Sequence, residues 1–107
     1  MDLTGKAVYI SGPMTGIENW NYEQFKDAAE KLLSDGAAFV FNPAVRGVKD
    51  PKPHEYYMLV DLHELTQSYD GKPIYDVIAM LPGWGNSQGA KLERDVAIAI
   101  GLEVLYL

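Results

Sequence analysis

The sequence predicts an α/β fold of the three-layer Rossmann or flavodoxin-like kind. Its four-stranded parallel sheet has the order 2-1-3-4, with helices on both faces. Three observations predict it. Short runs of β-forming residues alternate with longer stretches whose apolar positions recur at helical spacing. Glycine, proline and asparagine mark nearly every change between the two. The run Val77-Ile78-Ala79-Met80-Leu81 is apolar throughout, which suits a strand covered on both faces. A β-α-β-α-β-α-β chain of this kind closes as a parallel sheet with right-handed crossovers. In the order 2-1-3-4, the loops after strands one and three face each other at the switch point, where such sheets bind ligands.

The first strand spans Lys6 to Ile10 and runs into the loop Ser11-Gly12-Pro13-Met14-Thr15-Gly16, whose glycines allow close backbone approach. Asn21 with Gln24 three residues on reads as a capping box. Phe25, Ala28, Ala29, Leu32 and Leu33 then form the apolar stripe of the first helix, which Gly36 ends. Ala37 to Phe41 is the second strand, stopped by Asn42-Pro43. Residues 44–53 read as a loop. Glu55 to Gln67 is the second helix, with apolar positions Met58, Leu59, Leu62 and Leu65. Ser68 to Pro73 is a turn cluster. The third strand breaks at Pro82-Gly83, and Asn86 and Ser87 offer oxygens to cap the third helix. Gly101 ends that helix, and Glu103 to Leu107 is the last strand.

The 107 residues make a single domain, 1–107, with enough chain for a core. A net charge of −6 argues against a partner that is a nucleic-acid polymer. A small anion held by backbone N–H groups stays open. There is no cysteine, so disulfides and thiolate metal sites are excluded. No apolar run approaches the ~20 residues of a membrane span, and the N-terminus lacks a signal-peptide stretch. No membrane partner and a cytoplasmic setting are therefore expected.

Gly12 to Gly16 is neither a dinucleotide fingerprint nor a Walker loop. It is a strand-to-helix turn or, given its place at the switch point, a binding loop. Gly85-Asn86-Ser87-Gln88-Gly89 matches the nucleophile elbow of α/β-hydrolases. In that family the histidine follows the serine, and both histidines here, His54 and His63, precede it. The serine hydrolase is rejected. Ser87 is left as a helix cap, an anion ligand, or both. His54 and His63, beside Glu55 and Glu64, do not make a zinc motif, so no metal site is expected, and no spacing implies a cofactor.

Glu93 is the anomaly of the third helix. Gly89 and Ala90 precede it on the core-facing stripe and Val96, Ala97 and Ile100 follow it. A carboxylate on such a face is either a structural group at the stripe's edge or an ionised nucleophile in a sheltered pocket. Asp61 and Asp76 are its candidate companions. Asp61 is a helical residue whose default is solvent exposure, and Asp76 opens a strand where it can simply bond backbone. Two carboxylates in one pocket allow glycoside-type chemistry, one attacking and one donating a proton to the leaving group. Tyr9 and Trp84 are core residues or, at the ends of a crevice, groups that position a carboxylate or stack on a base.

Taken together, Tyr9-Ile10-Ser11-Gly12-Pro13, Asp61-Leu62, Asp76-Val77-Ile78 and Ser87-x-Gly89-x-x-x-Glu93 resemble the nucleoside 2-deoxyribosyltransferase-like superfamily. The closer likeness is to a small, functionally unassigned branch found in phages and bacteria. The resemblance spans nearly the whole chain, and the order and spacing of its short motifs carry it. It implies that Glu93 attacks C1′ of a deoxyribose, that Asp61 assists departure of the base, and that Tyr9 orients Glu93. In that family a serine six residues before the glutamate binds phosphate in hydrolases of deoxynucleoside 5′-monophosphates. Ser87 matches it. Gly12, Pro13, Met14, Gly16, Asp76, Trp84, Ser87 and Gly89 are then the expected substrate-binding residues.

Two features depart from the family pattern: Ser68 to Ile74 reads as an insertion, and no extension follows the last strand. The expected partner is a small nucleotide or nucleoside, and relatives lead us to expect a homo-oligomer, dimer or higher. The expected function is cleavage or transfer of a deoxynucleotide's N-glycosidic bond. The rival is a non-catalytic protein that binds or sequesters a nucleotide or an ADP-ribose derivative.

Overall fold

A computed structural model describes residues 2–46 and 52–107. The middle of the loop expected over 44–53 lies outside the described residues. Strand β1 (Ala7–Ser11) is followed by a short 3-10 turn, Glu18–Asn21, and by helix α1 (Tyr22–Ser34). Then come β2 (Phe39–Phe41) and α2 (His54–Leu65). A small hairpin of β3 (Ser68–Tyr69) and β4 (Lys72–Pro73) leads to β5 (Val77–Met80). Helix α3 (Gln88–Ala99) and strand β6 (Glu103–Tyr106) complete the chain.

The main sheet runs β2-β1-β5-β6 and is parallel throughout. With the hairpin set aside, this is the predicted order. β1 and β5 are the central pair, with Tyr9 opposite Ile78 and Ser11 opposite Met80. Being central, they are buried on both sides, and all four residues of β5 are. Alternation along the strands then sorts the core. Val8, Ile10, Val77 and Ala79 pack with Phe25 and Leu32 of α1. Tyr9, Ile78 and Met80 pack on the other face with Leu65 of α2 and Ala90 and Ala97 of α3. Each fully buried large side chain contributes about 1.5–3 kcal/mol. One helix covers one face, and two share the other. Among the described residues, no helix is long and apolar enough to cross a membrane.

Three local expectations are corrected. Asn21 does not cap α1: it lies in the left-handed region with φ 64° and makes no side-chain cap bond. Asn19, Trp20 and Asn21 all take positive φ, and this tight turn swings the Asn21 amide back over the preceding loop. There its Nδ2 donates to the Pro13 carbonyl at 3.0 Å and to Gln24 Oε1 at 2.7 Å. Leu59, expected on the buried stripe of α2, is 73% exposed. That helix is apolar on most of its circumference, so its pattern does not fix its rotation, and Asp61 and Leu65 are the residues it buries. The turn cluster at 68–73 closes as a hairpin, because Asp70 and Gly71 both adopt the positive φ of a two-residue loop.

Candidate functional site

The loops after β1 and β5 meet at the switch point, and α2 closes the space in front of them. Their contact is tight. A Cβ on Gly12 would stand 2.7 Å from Leu81 Cβ, so only glycine lets the first loop pass the end of β5. The Leu81 N–H also donates to the Ser11 carbonyl at 2.8 Å. On the far side, a Cβ on Gly89 would meet Met58 Sδ at 3.0 Å and His54 Cε1 at 3.5 Å. The first turn of α3 thus lies directly against the first turns of α2. Between these three segments is a crevice of about 250 Å³, close to the size of small-ligand sites.

Glu93 forms the floor. It is 7% exposed, and α3 reaches it from a start fixed by Ser87, whose Oγ accepts the Ala90 N–H at 3.2 Å. Both carboxylate oxygens are held by hydroxyls of β1. Ser11 Oγ donates to Oε1 at 2.7 Å, and the Tyr9 hydroxyl donates to Oε2. Residues two apart on a strand share a face, so one strand supplies both donors. Charge-assisted hydroxyl–carboxylate bonds of this kind are strong, and together they fix the plane of the carboxylate. The Tyr9 ring is fixed in turn: it stacks on Phe41 with centroids 5.1 Å apart and meets Tyr75 edge-on at 5.6 Å.

Asp61 enters from α2 and is 8% exposed. Its backbone carbonyl lies 3.4 Å from the Tyr9 hydroxyl. One turn further along, Glu64 Oε2 accepts the Tyr75 hydroxyl at 2.5 Å, which ties α2 to the sheet. Burial, and then the bond and charge of Glu64, push the Tyr75 phenol well above its ordinary value. Asp61 and Glu93 therefore line one crevice, each presented by a helix that the sheet holds.

The structure brings together Gly12, Met14, Gly16, Asp61, Ser87, Gly89 and Glu93 in the crevice wall, with Tyr9 behind Glu93. Three expected residues lie elsewhere. Pro13 turns its carbonyl to Asn21 and is not in the wall. Asp76 sits at the opposite end of the sheet, where its Oδ2 accepts the Ala7 N–H at 2.9 Å. It precedes β5, and in a parallel pair that places it at the strands' N-terminal ends. Trp84 packs away from the crevice, 5.6 Å from the Tyr106 ring, with the Arg94 guanidinium 5.1 Å above it. That stack anchors the loop leading to α3.

Sequence reasoning missed Ser11, whose signal was its place two residues after Tyr9 on the same strand. It also missed the mouth of the crevice, where Lys52, His54, Tyr57 and Met58 contribute. No local pattern announces them, because their role depends on where α2 docks. The result is a polarised crevice, lined by two buried carboxylates and by the exposed basic side chains of Lys52 and His54, with Ser87 half-buried. Among the described residues, no group of three or more His, Asp or Glu side chains is placed to hold a metal ion.

The chain belongs to the family described as Domain of unknown function (DUF4406), whose model matches residues 6–106. No curated protein and no solved structure matches it.

Proposed function

We propose that the protein cleaves, or transfers through a covalent intermediate, the N-glycosidic bond of a deoxynucleoside 5′-monophosphate or deoxynucleoside. The observation that carries this reading is Glu93: a buried carboxylate at the floor of a ligand-sized crevice, both oxygens held by hydroxyl donors. A group oriented in this way is suited to attack on an anomeric carbon. In the proposed step a Glu93 oxygen bonds to the anomeric carbon, and the bonding pair of the C–N bond leaves with the base. Asp61 in its acid form supplies the proton that the base takes up. Water then releases the sugar, or a second base accepts it. The basic side chains of Lys52 and His54, with the Ser87 hydroxyl and the N–H groups opening α3, suit an anionic end of the substrate at the mouth.

The test is incubation with each deoxynucleoside and its 5′-monophosphate, with free base measured by chromatography. Base release by the wild type and a loss of about 10³-fold or more in Glu93→Gln is the expected result. If no base appears but a nucleotide raises the melting temperature, the crevice binds without catalysing. Neither base nor thermal shift sinks both.

Association into a homo-oligomer in the cytoplasm belongs to the same proposal. The outer side of α2 supports association, since it leaves Tyr56, Leu59 and Val60 48%, 73% and 37% exposed. Light scattering that returns only the monomer mass at working concentration would refute it.

A further inference from the structure

A carboxylate that attacks carbon must free one of its oxygens, and the two donors on Glu93 differ in their ability to let go. The Tyr9 hydroxyl has one proton and two acceptors in reach, Glu93 Oε2 and, at 3.4 Å, the Asp61 carbonyl. Turning toward that carbonyl releases Oε2 without leaving the phenol unsatisfied. Ser11 Oγ bonds to Glu93 Oε1 alone among the described residues. It is 1% exposed, its backbone is held in register opposite Met80, and its side chain has a single rotatable bond to position the oxygen. It is the immobile donor of the pair.

We propose that Ser11 is a positioning residue for the reaction, holding Glu93 Oε1 in place while Oε2, released by Tyr9, forms the bond to the sugar carbon. The inference rests on the glycosidic chemistry proposed above. As the Oε2–carbon bond forms, the carbon–nitrogen bond breaks, and the base departs with its electron pair and the Asp61 proton. Oε1 becomes the carbonyl oxygen of the resulting ester and keeps the Ser11 bond. In hydrolysis the water oxygen replaces Oε2 on the sugar carbon, and a water proton returns to Asp61. One hydroxyl thereby fixes the nucleophile's orientation in both halves of the cycle.

Steady-state base release by wild type, Ser11→Ala and Ser11→Cys, each with its melting temperature, tests this. Ser11→Ala should lower kcat by about 10- to 100-fold with KM changed by less than about threefold. Ser11→Cys, a weaker donor of similar shape, should recover part of that loss. A residue that merely supported the fold would lower the melting temperature and leave kcat per folded molecule intact. If Ser11→Ala does not fold, Ser11→Cys must still show reduced kcat at unchanged KM. An active wild type whose folded variants keep kcat, or lose only KM, overturns this inference alone. A wild type that releases no base overturns the reaction and the inference together.

Discussion

On β1, Val8 and Ile10 turn to α1, while Tyr9 and Ser11 turn to α2 and α3. On the first side they join an apolar cluster, in which Phe25 and Leu32 fill the space at 0% and 1% exposure. On the second side, the same strand delivers two hydroxyls to a carboxylate from α3, beside an Asp from α2. The period-two alternation of a strand therefore separates two tasks along a single stretch of five residues. The α1 face can be packed for stability alone, and buried polar groups are tolerated on the other because each Glu93 oxygen has a donor. Two helices share the polar face, and the gap where they meet is the crevice.

Phe25→Ala breaks the apolar side of this comparison most severely. It should lower unfolding free energy by about 3–5 kcal/mol in urea titration, out of the roughly 5–15 kcal/mol typical of a domain. Base release per folded molecule should be largely kept, since Phe25 is not in the crevice wall and lies on the face of the sheet opposite Glu93, Tyr9 and Ala90. Glu93→Gln should do the reverse, removing base release while leaving stability within about 1 kcal/mol, because an amide still accepts one hydroxyl and carries no buried charge. If Phe25→Ala also removed activity in molecules shown to be folded, the separation of the two faces would fail.

The parallel sheet, its order and the switch point were legible because they follow from local signals: apolar runs, helical spacing and glycine stops. Glu93 was legible for the same reason, as a charged residue at a core-facing position of α3, and so was Ser87 as the cap of that helix. What stayed hidden depends on contacts distant in sequence. Asp61 was expected in the site from the family resemblance, but the residue pattern alone left it at the solvent default. It turns inward and Leu59 outward because α2 docks against Tyr9 and Tyr75, and α2 is too evenly apolar to announce that rotation. Asn21 looked like a cap until three successive left-handed residues redirected it. Asp76 lay next to β5 in sequence, but strand direction put it at the end of the sheet away from the ligand crevice.

The subtler contrast lies within the α2 side itself, where Tyr9 and Tyr75 both send hydroxyls to carboxylates. Tyr75 serves the fold, joining α2 to the sheet through Glu64. Burial and the Glu64 contact raise its phenol above the ordinary value of 10.0, so the folded protein favours the protonated form more than the unfolded chain does. The stabilisation is then fully present below pH 10.0 and is lost as pH rises above it. Its steepest slope is about 1.4 kcal/mol per pH unit. Tyr75→Phe removes both the bond and the titration. It should be less stable than wild type by about 1 kcal/mol at neutral pH, and the gap should narrow as pH rises from 10 to 11. Urea melts of the two proteins across that range compare them with all other titrating groups held in common. A gap that stayed constant would mean the Tyr75–Glu64 contact does not hold the proton. The attachment of α2, and with it the position of Asp61 in the crevice wall, would then have to come from packing and from the Tyr9 hydroxyl at the Asp61 carbonyl.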